Sequence, residues 1–276
     1  MSPRPIWIRH EQAPTLWAPD NGRPAFTIAT IVNDEAQYAE MLRAFVSGGF
    51  AEDCEYLAID NRTGNHFEAY GGIRSLLAQA RGHHVIICHQ DVRLMGDGRG
   101  ALQGRLEELD EIDPLWALAG NAGGTALGLA IRISDPHGED QRRGEFPARA
   151  LSLDENFIVI RRSAMIAPSA DLGGFHLYGT DLCLQAQMRG HTAYVIDFHL
   201  RHLGAGTVGR DYYACLEALE DKYGRVMQPR LIQTTCLSPM IGASRLRLAL
   251  ARLARLRKKL KKLKIERGVK ARARQG

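Results

Sequence analysis

Polar residues that bind cations or bases follow three short apolar runs in this 276-residue chain. Asn33 follows FTIATIV, Asp60 and Asn61 end the stretch EYLAIDN, and Asp91 follows HHVIICHQ. An aspartate at a strand end binds hard divalent cations such as Mg²⁺ or Mn²⁺, which in turn bridge to diphosphates. It also accepts hydrogen bonds from a ribose or base. The alternatives without function are a cap on the next segment for Asp91 and an Asx-turn for the Asp-Asn pair.

Two residues nearer the C-terminus offer further chemistry. His202 follows an apolar run and precedes glycines in HLGAGT; neutral imidazole binds divalent metals, and glycines let a loop approach a phosphate. Asp181 opens a helical pattern, where it is a candidate general base that takes a proton from an incoming hydroxyl. The helix dipole favours a carboxylate at that position without any function.

The elements that must position these residues follow from the hydrophobic pattern. It predicts strands at 26–32, 55–60, 83–92, 115–124, 151–162 and 192–204, and helices at 35–47, 67–81, 98–110, 179–191 and 210–224. Strand–helix alternation predicts a parallel sheet with right-handed crossovers, in which ligands bind beyond the carboxyl ends of the strands. Residues 125–150 lack periodicity and are predicted to form a long surface excursion.

Several function classes are disfavoured by what the sequence lacks. There is no GxxxxGK[ST], no convincing GxGxxG and no GxSxG, so a P-loop NTPase, a Rossmann dehydrogenase and the common serine hydrolase layout are disfavoured. The five cysteines form no CxxC pair, which predicts reduced thiols in the cytoplasm. No apolar run reaches the ~18–20 residues of a membrane-spanning helix, and the N-terminus lacks the apolar core of a signal peptide.

The positive charge of the chain is concentrated in one segment. Residues 244–276 hold 14 basic residues and one acid, a net +13, whereas the remainder holds 22 basic and 30 acidic residues, a net −8. The body is therefore not a basic nucleic-acid binder, and nucleic acid is disfavoured as a partner.

The leucines of the basic segment recur at a spacing of three to four residues. This pattern predicts a basic amphipathic helix lying on an anionic membrane surface, where each basic residue contributes about 1 kcal/mol. The alternatives are a solvated tail and nonspecific binding to nucleic acid. We expect a cytoplasmic protein, peripheral at the inner face of the cytoplasmic membrane.

Over roughly residues 26–223 the chain resembles the family 2-like glycosyltransferases of the GT-A fold. It is most similar to a bacterial subgroup whose third strand ends in a His-Gln-Asp-Val type motif. The matching segments, in order, are FTIATIVNDE, EYLAIDN, GGIRSLLAQARGHHVIICHQDVRL, PLWALAGNAGG, LSLDENFIVIRR and GFHLYGTDLCLQAQMRGHTAYVIDFHLRH. Their order and spacing carry the resemblance, and HQDV and DLCLQA are the most specific pieces.

The resemblance implies an α/β fold of GT-A (Rossmann-like) type, with a mostly parallel central sheet flanked by helices. The expected domains are a proline-rich extended arm at 1–25, the GT-A domain at 26–230, a linker at 231–243 and the basic amphipathic helix at 244–276. The implied activity is inverting, hexosyltransferase-type transfer from a nucleotide-diphosphate sugar (UDP-, GDP- or dTDP-linked) to a hydroxyl of a glycan or lipid-linked acceptor. The reaction would serve cell-surface glycan or polysaccharide synthesis, with Mg²⁺ or Mn²⁺ as cofactor.

The resemblance also implies roles for single residues. The nucleotide base would be contacted by Ile31, Asn33, Asp60 and Asn61. The metal would be bound by Asp91 and His202. Asp154 would face the acceptor, and Asp181 would be the general base.

Two departures from the family pattern bear on activity. The DxD motif is here His89-Gln90-Asp91, so one metal-binding carboxylate remains. Tyr178 and Gly179 stand where the family has an acidic pair, which leaves Asp181 as the nearest carboxylate. The departures keep an alternative open, a catalytically weak or inactive GT-A-fold scaffold or binding protein in glycan assembly.

Overall fold

A computed structural model of the protein describes residues 6–8, 22–206, 208–225, 227 and 229–241. The predicted α/β class, with a large sheet flanked by helices, is confirmed. The predicted basic helix at 244–276 lies outside the described residues. Within the described part of the chain, no helix combines the length and the apolar content needed to cross a bilayer.

The described elements are fifteen strands and five α-helices. The strands are β1 Ile6–Ile8, β2 Phe26–Val32, β3 Cys54–Asp60, β4 His84–Cys88, β5 Val92–Leu94, β6 Trp116–Gly120, β7 Ala122–Thr125, β8 Gly128–Asp135, β9 Gly138–Arg143, β10 Ala148–Leu153, β11 Phe157–Arg161, β12 Thr192–Val195, β13 Leu200–His202, β14 Arg230–Leu231 and β15 Met240–Ile241. The helices are α1 Glu35–Ser47, α2 Ala69–Gln79, α3 Arg99–Ile112, α4 Tyr178–Met188 and α5 Arg210–Tyr223.

The chain divides into two compact units, residues 1–219 with 233–238 and residues 220–232 with 239–276. The first unit holds the large sheet, whose order is β1-β3-β2-β4-β11-β6-β12-β10-β7-β8-β13-β5, with β9 paired to β8. The strands β1, β3, β2 and β4 are parallel to one another. Beyond them the pairing is mixed, because β11 runs antiparallel to both β4 and β6, and β12 runs parallel to β6.

The N-terminal half of the sheet forms because its strands are apolar on both faces. Strand β2 is buried along almost its whole length, as are β3 and β4, which is the pattern of parallel strands covered by helices on both sides. Helix α1 begins where the Asp34 side chain accepts hydrogen bonds from the backbone N–H groups of Ala36 and Gln37, at 3.0 and 3.1 Å. Because β3 and β4 each pair parallel with β2, the carboxyl ends of the three strands lie together at one edge of the sheet.

The structure differs from the prediction most at residues 125–150. The segment predicted as a surface excursion forms β8, β9 and the start of β10, which pair antiparallel with one another or with β7. Strand β9 is half-buried or exposed at every residue, so it carries no periodic apolar signal. Its backbone pairing with β8, and not the burial of its side chains, makes it a strand.

Four predicted strands are divided in the structure: 151–162 becomes the end of β10 and β11, 192–204 becomes β12 and β13, and two further divisions bear on the site. The run 83–92 becomes β4 and β5, with His89-Gln90-Asp91 in the turn between them, and the run 115–124 becomes β6 and β7. At the second division the buried Asn121 donates from Nδ2 to the backbone carbonyl of Arg132 at 3.1 Å. Both divisions leave polar side chains at the edge of the sheet.

Regular structure also occurs in two segments for which the sequence predicted none. Strand β1 lies in the proline-rich arm and pairs parallel with β3. In the second unit β14 pairs antiparallel with β15, within and next to the expected linker, and Glu220 accepts a hydrogen bond from Met240 N at 2.9 Å.

Candidate functional site

A first cavity of about 280 Å³ lies beyond the carboxyl ends of β2, β3 and β4. Four of the predicted site residues line it, namely Ile31, Asn33, Asn61 and Asp91. Gln90 joins the loops at this edge, because its Oε1 accepts hydrogen bonds from the backbone N–H groups of Asn33 (3.0 Å) and Asp34 (2.9 Å). The edge predicted from strand order is thus a real concavity.

Asp60 is directed elsewhere. Its two carboxylate oxygens accept hydrogen bonds from Arg62, Nε at 2.9 Å and Nη2 at 3.0 Å, and Arg62 Nη1 reaches Glu35 at 2.7 Å. Asp60 is not among the described residues that line either cavity of the site. The neighbouring Asn61 does line the first cavity, but its amide is bonded to the backbone N–H and C=O of Phe67. The carboxylate expected at a base is therefore held in an ion pair.

A second cavity of about 320 Å³ adjoins the first. It is lined by two further predicted residues, Asp154 and His202, and by Glu155 and Thr180. Asp154 is held by Asn156 on Oδ1 and by Thr235 on Oδ2, at 2.6 and 2.8 Å. His89 lines both cavities, so it marks the junction between them.

Three side chains of types that can bind a metal ion converge at this junction. One ligand atom each of His89, Asp91 and His202 lies within 4.8 Å of the other two. His89 Nδ1 is 3.2 Å from His202 Nε2, and that nitrogen is 3.3 Å from Asp91 Oδ1. The ends of β4 and β13 and the turn before β5 supply them, since β13 pairs antiparallel with β5.

The protonation preferences of the three side chains differ. Burial, followed by the charge of His202, lowers the pKa of His89 to about 4, so its imidazole is neutral at neutral pH. Burial tends to raise the pKa of Asp91, but its hydrogen bond to His202 and the charge of that histidine lower it overall. Burial tends to lower the pKa of His202, yet the hydrogen bond and charge of Asp91 outweigh this and raise it. A cation at this site would thus meet an ionised carboxylate and two imidazoles, and these three side chains contact one another.

The chain leaves room for a ligand beside the carboxylate. A Cβ atom placed on Gly204 would lie 2.9 Å from Asp91 Oδ2 and 3.4 Å from His202 Nε2. Any larger residue would therefore fill the space next to Asp91 and His202. Together with a donor set of two nitrogens and one carboxylate, this space fits a divalent cation.

Asp181 lies outside both cavities. It is fully buried, and its carboxylate accepts hydrogen bonds from Ser169 N at 2.7 Å and Ser169 Oγ at 2.6 Å. Its neighbour Thr180 does line the second cavity. The predicted general base is thus buried against Ser169 and lines neither of the two cavities, and the identity of the base stays a prediction.

Glu155, together with Asp135 and Asp154, lines the second cavity. Burial, followed by the charge of Asp154, raises its pKa to about 8, although backbone N–H groups at the start of α4 lower it. One of these is Gly179 N, which lies 3.4 Å from Glu155 Oε1. A carboxyl with a pKa near neutrality accepts and returns protons readily.

Sequence reasoning missed His89, Glu155 and Tyr178. The signal for His89 was its place two residues before Asp91 in a strand-end motif. Because the resembled family has an acid there, the histidine was interpreted as a missing ligand. Glu155 follows a buried strand in SLDENF, next to the predicted Asp154. Tyr178 carried no signal, because its hydroxyl meets His89 only through the fold, across 89 residues of chain.

No protein-family model matches the sequence. A protein of Fuscovulum blasticum described as ATP synthase subunits region ORF 6 is 38% identical over 240 residues, which cover 84% of this chain and 93% of that protein. The chain belongs to the family of this protein. The relative's name states no activity.

Solved structures of glycosyltransferases are also similar, at low identity. The mannosyltransferase PcManGT from Pyrobaculum calidifontis, in complex with GDP-Man and Mn²⁺, is 14% identical with a TM-score of 0.45; 76% of this chain and 65% of that chain are covered. S. aureus TarS in complex with UDP-GlcNAc is 11% identical with a TM-score of 0.47, covering 72% and 66%. The chain thus spans about two thirds of the length of each. Because both TM-scores are below 0.5, neither likeness assigns a role to any residue of the site.

Proposed function

We propose that the protein is a divalent-cation-dependent, inverting glycosyltransferase that uses a nucleotide-diphosphate sugar. The observation that carries the proposal is the position of His89, Asp91 and His202 at the junction of two cavities. In a group transfer from a nucleotide sugar, the diphosphate lies between the nucleotide and the acceptor. A cation site at this junction therefore suits the place where negative charge develops. The resemblance of HQDV and DLCLQA to family 2-like glycosyltransferases supports the same activity.

The donor set favours Mn²⁺ over Mg²⁺. Carboxylate oxygens suit both ions, whereas imidazole nitrogens suit first-row transition metals. His89 and His202 supply two nitrogens to one carboxylate from Asp91. When bound, a divalent cation neutralises charge that grows on the leaving diphosphate.

The first cavity would hold the nucleotide through apolar walls and amides. Ile31 and Ile73 line it and offer apolar contact to the face of a base. Gln37 also lines it, and its Oε1 is buried with no hydrogen-bond partner among the described residues. Such an acceptor costs free energy until a donor reaches it, so Gln37 is suited to an N–H of the base. Asp60 is tied through Arg62 to Glu35, on the helix that carries Gln37.

Glu155 would act as the proton acceptor in the second cavity. The acceptor hydroxyl oxygen forms a bond to the anomeric carbon while the bond from that carbon to the diphosphate breaks, which inverts the configuration. The hydroxyl proton passes to a Glu155 carboxylate oxygen. General base catalysis of this kind contributes about 10²–10⁴-fold in rate.

The acceptor and the location are proposed from the sequence alone. The basic segment 244–276 suits docking to anionic lipid, and a membrane-bound enzyme suits a lipid-linked or glycan acceptor in surface polysaccharide synthesis. The proposed location is the inner face of the cytoplasmic membrane.

Calorimetric titration of UDP and of GDP tests the nucleotide and metal parts together. We expect one nucleotide to bind in the presence of Mn²⁺, and binding to weaken at least about tenfold without the ion or in Asp91→Ala. Asp53→Ala is the matched control, because it removes a carboxylate paired with Arg99 that lines neither cavity. Binding that is indifferent to Mn²⁺ and to Asp91 would rule the proposal out. Nucleotide binding without any sugar transfer or hydrolysis would favour the non-catalytic scaffold.

A further inference from the structure

We propose that Tyr178 is a positioning residue that fixes the tautomer of His89, with the proton on Nε2 and the lone pair of Nδ1 directed at the cation site. This inference deepens the proposed function and rests on it, since it assumes a cation at His89, Asp91 and His202. It assigns a role to the first residue of α4, where the acidic pair of the resembling family is missing.

The hydrogen bonds of Tyr178 determine the direction of each proton. Its hydroxyl lies 2.9 Å from the backbone carbonyl oxygen of Glu155 and 3.1 Å from His89 Nε2. A phenol has one proton, and a carbonyl oxygen only accepts. The Tyr178 proton therefore goes to Glu155, and the phenolic oxygen accepts a hydrogen bond from His89 Nε2–H.

The second ring nitrogen of His89 then has a free lone pair. A neutral imidazole carries one N–H, so Nε2–H makes Nδ1 the basic nitrogen. Nδ1 lies 3.2 Å from His202 Nε2, on the side of the ring where the Asp91 carboxylate meets His202. That position is within the group of three ligand atoms that lie within 4.8 Å of one another. In the opposite tautomer, Nδ1–H would point a proton at the cation.

Tyr178 is itself held in place. Its side chain is 3% exposed, and its ring packs edge-on against Tyr70 with a centroid separation of 6.4 Å. Because it begins a regular helix, its backbone is fixed by the helical hydrogen bonds that follow. A partner that orients a metal-binding histidine through its other nitrogen typically contributes 10–100-fold to metal affinity.

Nitrogen NMR of the full-length, metal-free protein labelled with ¹⁵N-histidine tests the tautomer directly. We expect His89, assigned by loss of its signals in His89→Gln, to show a protonated Nε2 and an unprotonated Nδ1. In Tyr178→Phe the Nε2–H form loses its acceptor, so the two tautomers should mix. Tyr56→Phe is the matched control, because it removes an equally buried hydroxyl that donates to a backbone carbonyl, that of Phe50 at 2.9 Å.

The affinity for Mn²⁺, measured by electron paramagnetic resonance of the free ion, is the second readout. We expect Tyr178→Phe to bind Mn²⁺ about 10–100-fold more weakly than the wild type, and Tyr56→Phe to match the wild type. A wild-type His89 with its proton on Nδ1, or a Tyr178→Phe affinity equal to that of the wild type, would overturn the inference. Failure of the wild type to bind Mn²⁺ would instead overturn the cation role in the proposed function, and the nitrogen spectra would still decide the tautomer.

Discussion

His89 stands where the resembled family has an acid, and at the proposed cation site an imidazole there would change the preferred cation. The ring is neutral at neutral pH because burial lowers its pKa, so it would add a nitrogen ligand without adding negative charge. The sequence predicted a metal role for Asp91 and His202 from residue type and position, and the structure places both beside His89. The sequence did not identify His89, because whether a histidine faces a cation depends on side chains distant in sequence.

Changing His89 to aspartate should shift the metal preference toward Mg²⁺. The variant restores an oxygen ligand and a negative charge, both of which Mg²⁺ prefers. We expect the ratio of nucleotide affinity in Mn²⁺ to that in Mg²⁺ to fall about tenfold or more, measured by calorimetry with each ion. His66→Asp is the control, since His66 lines neither cavity. An unchanged ratio in His89→Asp would contradict a ligand role for this residue.

Changing Glu155 to glutamine should slow turnover strongly while leaving the nucleotide bound. The amide cannot accept the acceptor's proton, so kcat should fall about 10²–10⁴-fold, measured as release of nucleoside diphosphate. Asp181→Asn is the comparison. It disturbs a buried carboxylate bonded to Ser169, so it should destabilise the fold by about 1–3 kcal/mol and spare the kcat of the folded protein. The reverse result would return the role of base to Asp181.

The stability of the wild type should depend on pH differently from that of Glu155→Gln. The pKa of Glu155 is raised from its usual value to about 8, mainly by burial and then by Asp154, so the fold favours the protonated form. Its contribution to stability is complete below about pH 4.5 and is lost as the pH rises through 8. The free energy of unfolding of the wild type should therefore decline relative to Glu155→Gln over this range, by at most ~1.4 kcal/mol per pH unit. Over the same range kcat/KM of the wild type should rise as the carboxylate forms.

At the scale of elements, β4, β6 and β11 are joined by a stack of side chains. His84 lies parallel to Trp116, with an interplanar angle of 7° and centroids 5.6 Å apart, and the Arg161 guanidinium lies 4.6 Å from the centre of the Trp116 ring. Burial, followed by the charges of Arg161 and His83, lowers the pKa of His84 to about 4. This stack connects the central strands that lead to the site.

Replacing His84 with phenylalanine should make the fold less sensitive to acid. The folded-state pKa of His84 lies below the usual 6.5, so its contribution to stability is complete above pH 6.5 and is lost as the pH falls toward 4. The wild type should lose about 2–3 kcal/mol through this group over that range, and the variant should not. Urea unfolding at pH 7 and pH 4.5 measures the difference. An equal loss in both proteins would place the acid sensitivity elsewhere.

Elements with a one-sided or continuous apolar pattern were predictable, and those without one were not. Strand β2 matched its predicted bounds because seven consecutive residues suit burial on both faces. Strand β9, by contrast, has no buried residue. The mixed pairing around β11 was also not predictable, because strand direction depends on where the chain returns to the sheet. The second cavity is partly lined by residues of β8 and β9, such as Ile133 and Gln141, so its shape was not predictable either.

At the scale of the whole molecule, removing residues 244–276 should separate location from chemistry. We expect the truncated protein to lose sedimentation with anionic liposomes and to keep Mn²⁺-dependent nucleotide binding, because the site lies in the first unit. Full-length protein with neutral liposomes is the control, since about 1 kcal/mol per basic residue comes from anionic lipid. Truncated protein that still pellets with anionic liposomes would contradict this role. Loss of DNA retention instead of liposome binding would indicate nucleic acid as the partner.

The sequence by itself determined the α/β class, the strand ends that meet at one edge, and the separation of charge between an acidic body and a basic segment. These depend on local periodicity and on composition, which are properties of neighbouring residues. Only the tertiary structure decided which polar groups share the site. His89 and His202 are 113 residues apart, and Asp181 is buried against Ser169 while Glu155 lines a cavity. Such choices depend on packing between distant segments, which no local pattern records.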